Sequence, residues 1–281
     1  MRPEIRLVVT DLDGTFTTDK YHFCPENARA IQRAQQAGVM VCACTARNWA
    51  MAKGQIKRAG FNALNVCSNG ASIVEKDTGL QRFRARFDED DLYALLRAGV
   101  EEGGAVIVYT HEQLLVLKGH VGHYIRAYAD RWGTVERDLR IPITLCDDID
   151  QMVIRGGESA EAVEYFNDHP FCARTRELLG AFAPTSVGGN CCMVMPEGIC
   201  KQNGVERLAG MLGIKREQVM TIGDNGNDLA MLKWAGLGVA VGNADEQVKR
   251  EADAVVARHD EAGVARAIET FVLGDGYAAA D

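Results

Sequence analysis

Short unbroken apolar runs alternate with segments of helical periodicity along the first part of the chain. Residues 5–9, Ile-Arg-Leu-Val-Val, end in Thr10 and lead at once to Asp11, Asp13 and Gly14, the pattern of a buried strand running into a loop. Residues 25–38 carry Ala28, Ile31, Ala34 and Ala37 at helical spacing, with Pro25 suited to a first turn and Gly38 to a stop. Residues 39–45 form a second continuous apolar run, 51–59 a helix closed by Gly60, and 64–67 a third strand ending in Ser68-Asn69-Gly70. Three strands alternating with two helices predict a parallel sheet with crossovers.

The rhythm then breaks. Residues 72–75 and 81–87 flank Lys76-Asp77-Thr78-Gly79, a hairpin signal. A helix is expected over 88–102, where the acidic start Asp88–Asp91 complements the helix dipole. Strands are expected at 105–109, 114–117, 152–154 and 181–185, and helices at 119–130 and 160–167. This mixture lacks strict βα alternation and reads as an inserted α+β domain. From Cys191 the alternation resumes: strand 192–195, helix 201–212, strand 219–222, the loop 223–228 and a short helix at 229–234. Strand 237–241, helix 245–251, strand 254–257 and helix 261–272 follow, and the Gly/Ala-rich tail 274–281 reads as frayed.

A chain of 281 residues is comfortable for two domains, and 47% hydrophobic with 25% charged residues is ordinary for a soluble globular protein. The net charge of −8 argues against nucleic acid as a partner, because no basic field would attract phosphate backbones. Small phosphorylated ligands stay open, since a metal and one lysine can invert the charge locally. Nine cysteines are odd in number and scattered, and Cys42, Cys44, Cys67, Cys191 and Cys192 lie in apolar, strand-like segments. They read as reduced core thiols. The start of the sequence has no signal-peptide pattern and no apolar run reaches spanning length, so the expectation is a cytoplasmic protein with no membrane partner.

The chemistry gathers in four loops, each following an expected core strand. They carry Asp11-Leu12-Asp13-Gly14-Thr15, Thr45-Ala46-Arg47, Gly198-Ile199-Cys200-Lys201 and Gly223-Asp224-Asn225-Gly226-Asn227-Asp228. Strand carboxyl ends are where open parallel sheets bind ligands. Two acids one residue apart are costly together unless a cation sits between them. Hard oxygen donors in small number suit Mg²⁺ with substrate phosphate, and a carboxylate beside it, with a hydroxyl and a lysine, suits phosphoryl transfer through an aspartyl-phosphate. An EF-hand reading of 11–22 fails: its twelfth position is His22 and glycine falls at the fourth position, not the sixth. His120 and His123 share a helical face but have no third ligand, so they read as solvated or packed. Trp49, Trp132 and Trp234 read as core or interface.

These four motifs, in this order and spacing, resemble the haloacid dehalogenase superfamily, and specifically its Cof-like phosphatases with a cap inserted after the third strand (class IIB). Ser68-Asn69-Gly70-Ala71 entering a hairpin and the segment from Gly238 to Ala244 are also Cof-like. The resemblance implies an α/β fold, a Rossmann-like three-layer parallel-sheet core of residues 1–84 and 188–281, with an inserted α+β cap of 85–187 that sets substrate specificity. It implies that Asp11 is the nucleophile and that Asp13 protonates the leaving alkoxide and later deprotonates water. Thr45, Ala46, Lys201 and Asn227 would bind the phosphoryl group. Mg²⁺ would be held by Asp11, Asp224 and the main-chain carbonyl of Asp13, with Asp228 orienting Lys201. Arg47 has two open readings, a grip on phosphate or substrate, or a pair with a surface acid. The second motif has Ala46 where glycine is usual, which slightly crowds the amide facing phosphate. Phe16 takes a place often held by leucine.

The expected activity is thus a Mg²⁺-dependent phosphatase for a small phosphorylated metabolite, a sugar phosphate by family analogy, in a monomer or homodimer. Tyr109, His111, Lys118, His123, Tyr124 and Arg126 are the donors that the inserted domain offers. The rivals are a phosphomutase of phosphomannomutase type and, from another class, a non-catalytic phospho-ligand binder on the same fold.

Overall fold

The computed structural model describes residues 4–19, 22–87, 105–112, 114–117, 135–137, 149–155 and 191–274. The expected helices at 88–102, 119–130 and 160–167, the strand at 181–185, the tail beyond Gly274, and Lys118, His120, His123, Tyr124, Arg126 and Trp132 lie outside them. Five parallel strands form the core sheet: β1 (Leu7–Thr10), β2 (Met40–Ala43), β11 (Val219–Gly223), β12 (Leu237–Ala240) and β13 (Ala254–Val255), in the order β13-β12-β11-β1-β2. The chain steps from β1 to β2 on one side, then fills the other side through β11, β12 and β13. The order therefore reverses at β1, and the crevice outside the ends of β1 and β11 is the switch point where such sheets bind ligands.

Both faces of the sheet are covered, which is why its strands are continuous apolar runs. On one face Val8, Val41, Ile222 and Val239 pack against Ile31 of α1 (Pro25–Gln36), Ile56 of α2 (Trp49–Ala59) and Val264 of α6 (Gly263–Ile268). On the other, Leu7, Val9, Cys42 and Cys44 pack against Val205 and Leu208 of α3 (Lys201–Met211) and Met231 of α4 (Leu229–Trp234). α5 (Glu246–Glu251) follows β12. Among the described residues no helix is long and apolar enough to cross a membrane. Cys24, Cys42, Cys44, Cys67 and Cys200 are free thiols, and burial pushes the Cys42 thiol up to about 12.

The third strand, β3 (Leu64–Cys67), joins the sheet by an unusual edge. Its direct backbone contact with the β2 segment is a parallel bridge at Cys44 and Val66, where the Thr45 N–H donates to the Val66 carbonyl at 3.0 Å. Two carboxamides complete the seam: the N–H groups of Val41 and Ala43 donate to Asn62 Oδ1 at 2.6 Å and Asn65 Oδ1 at 2.9 Å. Buried backbone donors need partners, and here side chains supply them. β3 then pairs antiparallel with β4 (Ser72–Glu75), and β4 with β5 (Gln81–Arg84), the expected hairpin.

The second sheet, ordered β10-β9-β6-β7-β8, comprises β6 (Ala105–Thr110), β7 (Leu114–Leu117), β8 (Val135–Arg137), β9 (Ile149–Arg155) and β10 (Cys191–Val194). The strand expected to reopen the parallel core at 192–195 belongs here instead: Cys191 faces Arg155 and Val194 faces Met152 in an antiparallel ladder. An apolar run of four residues states that a strand is buried, not which sheet it joins, and the parallel core resumes with α3. α2 also begins earlier than its apolar spacing suggests, because Asn48 caps it and accepts from the Met51 N–H.

α3 reaches the core through a contact only glycines permit. Gly70, at φ +99°, would place a Cβ 2.2 Å from the Cys200 carbonyl oxygen, and a Cβ on Gly204 would fall 2.6 Å from Val66 Cγ1 and 2.7 Å from Gly70 Cα. Gly204→Ala is expected to destabilise the protein by about 1–3 kcal/mol through overpacking. Urea unfolding checks this; an unchanged midpoint would contradict the close approach.

Candidate active site

The ladder places Asp11 one residue past β1, with its N–H donating to the Ile222 carbonyl at 2.9 Å, while the Cys44 N–H donates to the Thr10 carbonyl at 2.8 Å. The Asp11 side chain therefore emerges at the crevice between β2 and β11. Lys201, the first residue of α3, is buried and bridges two carboxylates: its Nζ donates to Asp11 Oδ1 and to Asp228 Oδ1, each at 2.6 Å. Lysine opens a helix here against the helix dipole, and the two carboxylates relieve that conflict. The lysine arrives from a helix seated on the Ser68–Gly70 turn, not from the end of a core strand as the four-loop reading expects.

Asp228 is fully engaged. Its second oxygen, Oδ2, accepts from the backbone N–H groups of Asp224 at 3.0 Å and Asn225 at 3.1 Å, so it ties the loop after β11 to Lys201. Asp224 Oδ1 accepts from the Thr15 hydroxyl at 2.6 Å, and a Cβ on Gly14 would lie 2.6 Å from Asp224 Oδ2. The loop after β1 is braced by Asn243, whose amide donates to the Gly14 carbonyl at 2.7 Å and whose oxygen accepts from the His259 N–H at 2.8 Å. Thr45 is buried beside this group. Its hydroxyl accepts from the Arg47 N–H at 3.1 Å, and its carbonyl accepts from the Asn69 N–H at 3.0 Å. Asn227 in turn donates to Asn69 Oδ1 at 3.3 Å. Ser68 and Asn69 both hold left-handed backbone angles, φ +50° and +51°. Such conformations in non-glycine residues persist where surrounding contacts over-determine them, and they concentrate at functional sites.

Asp13 stands apart from the other acids. Its side chain is 53% exposed and is held by the buried Arg47, whose Nε donates to Oδ2 at 2.8 Å while Nη2 engages Oδ1. Of the two readings of Arg47, the arginine does pair with an acid, but with the second acid of the first motif. Ala46 lies between Thr45 and Arg47 in the same turn.

The sequence matches the haloacid dehalogenase-like hydrolase family over residues 8–268. The chain belongs to the haloacid dehalogenase-like hydrolases. Among relatives of this hydrolase, the 5-amino-6-(5-phospho-D-ribitylamino)uracil phosphatase YcsE of Bacillus subtilis is 27% identical over 270 residues, which are 96% of this chain and 97% of YcsE. A haloacid dehalogenase-like hydrolase from Bacteroides thetaiotaomicron superposes with a TM-score of 0.76 at 24% identity, covering 95% of this chain and 99% of that one. The HAD subclass IIB sugar phosphatase BT4131 superposes with a TM-score of 0.72 at 22% identity, covering 95% and 98% of the two chains. These structures share the fold. The expectations of a haloacid dehalogenase superfamily member, an α/β core and an enzyme of the phosphatase kind are borne out at that level.

In the hydrolase, oxygen atoms of Asp11, Asp224 and Asp228 lie within 4.8 Å of one another. Burial pulls the Lys201 ammonium down, but Asp11 and Asp228 outweigh it and the net direction is up, so the lysine stays charged. Burial pushes Asp11 up, and Lys201 pulls it back only in part against Asp228, Asp224 and Asp13. Burial, then the neighbouring Asp228, pushes Asp224 up to about 7. One ammonium does not neutralise three carboxylates, two buried and one half-buried. With Asp228 saturated, Asp11 and Asp224 are the hard oxygen donors that fit a divalent cation. Sequence reasoning missed Thr15, Asn69 and Asn243 as site supports; each is an ordinary polar residue whose partner lies far along the chain.

The sign of the Asp224 shift gives a test. The folded protein binds a proton near pH 7 that the unfolded chain does not bind until near 3.8, so this group stabilises the metal-free fold at low pH and loses that contribution as pH rises through 7. A cation must displace the proton. A divalent cation held by Asp224 is therefore expected to bind more than ~10-fold more weakly at pH 5.5 than at pH 8, as read by calorimetric titration. Equal affinities at both pH values would contradict this.

Proposed function

We propose that this hydrolase is a Mg²⁺-dependent phosphatase that hydrolyses a small phosphomonoester, a sugar phosphate or similar metabolite, through an aspartyl-phosphate on Asp11. The observation that carries the reading is the Asp11–Lys201–Asp228 bridge with Asp224 beside it. A buried carboxylate at the switch point has one oxygen fixed by an ammonium, while the other remains to attack phosphorus.

In the first half-reaction Asp11 Oδ2 forms a bond to phosphorus as the bond to the leaving oxygen breaks. The leaving alkoxide takes the proton of Asp13. In the second, Asp13 removes a proton from water, whose oxygen bonds to phosphorus as the Asp11–phosphorus bond breaks. Lys201 offsets charge on the phosphoryl oxygens, and Thr45, the Ala46 amide and Asn227 hydrogen-bond them. Asp228 orients Lys201. Asp11, Asp224 and the Asp13 carbonyl would hold Mg²⁺, whose charge when bound neutralises both carboxylates and phosphoryl oxygens. The inserted residues 85–187 act as the cap that selects the alcohol. YcsE and BT4131 are named for a ribityl phosphate and for sugar phosphates, and both names support a phosphorylated polyol or sugar as substrate.

A panel of sugar and polyol phosphates, assayed with Mg²⁺ and with EDTA, is expected to release inorganic phosphate only with the metal. Asp11→Asn is expected to abolish turnover, and Asp13→Asn to lose at least ~10²-fold. Near-wild-type rates for either variant, or isomerised sugar phosphate without free phosphate, would overturn the reading.

A further inference from the structure

The contacts of Asp13 lead away from the crevice and into the inserted region. Arg47 grips both oxygens of the Asp13 carboxylate. The backbone of Arg47 is itself pinned, its N–H on the Thr45 hydroxyl at 3.1 Å and its carbonyl accepting from the Ser68 N–H at 2.8 Å. The next residue, Asn48, is fully buried and faces two ways. Its Oδ1 accepts from the Met51 N–H at 3.2 Å and caps α2, while its Nδ2 donates to the Thr110 carbonyl at 2.7 Å. The Ala50 N–H, one of the free donors of that first turn, donates to the His111 carbonyl at 3.2 Å. The His111 ring lies 6.4 Å from the Trp49 ring at 8° between planes, and its Nε2 contacts the Gly79 carbonyl at 2.8 Å. The end of β6 is thus docked on the first turn of α2, directly after the residue that holds Asp13.

We propose that this docking positions the acid/base residue: the Thr110–His111 segment fixes Asn48, Asn48 fixes the backbone of Arg47, and Arg47 is a positioning residue for Asp13. The inference rests on the acid/base reading of Asp13 given above. An exposed carboxylate on a loop samples several rotamers, and a two-pronged guanidinium contact selects one. The energy of a half-exposed pair is small, so what Arg47 contributes is geometry. Consecutive Cα atoms are about 3.8 Å apart on a stiff peptide, so a shift at Asn48 is transmitted to Arg47. A segment of the inserted region is in this way joined to the proton-transfer group by three short steps.

The test is a leaving-group series read as kcat/KM, with saturating Mg²⁺. That quantity reports the steps up to release of the alcohol and excludes breakdown of the aspartyl-phosphate. An alkyl phosphate needs its leaving oxygen protonated, whereas nitrophenyl phosphate does not. Arg47→Lys keeps the charge and loses the fork; Asn48→Ser keeps a helix cap and loses the donor to Thr110. Both variants are expected to lose ~10–10²-fold more on the alkyl phosphate than on nitrophenyl phosphate. An equal loss on both substrates, the mark of a merely structural role, or a rise in KM alone, the mark of a substrate contact, would overturn the proposal. Asp13→Asn separates the two readings. If it shows the leaving-group dependence and Arg47→Lys does not, only the positioning role fails. If Asp13→Asn itself shows none, the acid/base reading falls and this inference with it.

Discussion

A lysine with almost no solvent contact, held between Asp11 and Asp228 at 2.6 Å each, is the interaction on which the rest of the site depends. Taking three charges out of water costs several kcal/mol per ion unless geometry and further hydrogen bonds compensate. Here they do so through Asp228, whose remaining oxygen accepts two backbone N–H groups. Removing Lys201 would leave two buried carboxylates without their cation. The trio also ties together three elements distant in sequence: the end of β1, the start of α3 and the loop after β11.

That constraint explains features that otherwise look unrelated. Gly70 and Gly204 let α3 sit close enough for Lys201 to reach both acids. The left-handed pair Ser68-Asn69 turns the chain beneath the helix and offers Asn69 to Asn227. Thr15 holds the loop after β1 against the loop after β11, and Asn243 holds it against the segment after β12. Burial, and after it the negative charge left over beside Lys201, pushes Asp11 and Asp224 up, and the same excess makes their oxygens fit for a divalent cation.

Much of this was legible in the chain because it is written in local pattern. The run before Asp11, the spacing of Ala28, Ile31 and Ala34, and the Lys76–Gly79 turn each carry their own signal, and the structure forms strand, helix and hairpin there. The Asp11, Lys201, Asp224 and Asp228 side chains were nameable because their motifs lie at strand and helix ends. What was not legible is long-range pairing. The run Cys192–Met195 reads as a core strand, yet the strand that forms, Cys191–Val194, hydrogen-bonds to β9; its composition suits either sheet. Asn62 and Asn65 replace part of a backbone ladder without any pattern to announce it. Arg47 has two readings by residue type, and only its burial and fork geometry single out Asp13. Asn48 looks like a loop asparagine until Thr110, sixty-two residues on, is brought to it.

The central claim is that Asp11 carries the phosphoryl group, and the most direct test is to trap it. Enzyme mixed with substrate and Mg²⁺, quenched in acid within the first turnover and reduced with borohydride, should yield a peptide in which residue 11 is converted to homoserine, since an acyl phosphate is reduced and a free carboxylate is not. Peptide mass spectrometry reads the result. Homoserine at position 11, dependent on substrate, is the predicted outcome; phosphate release in full yield with Asp11 unmodified, or modification at another side chain, would contradict the account.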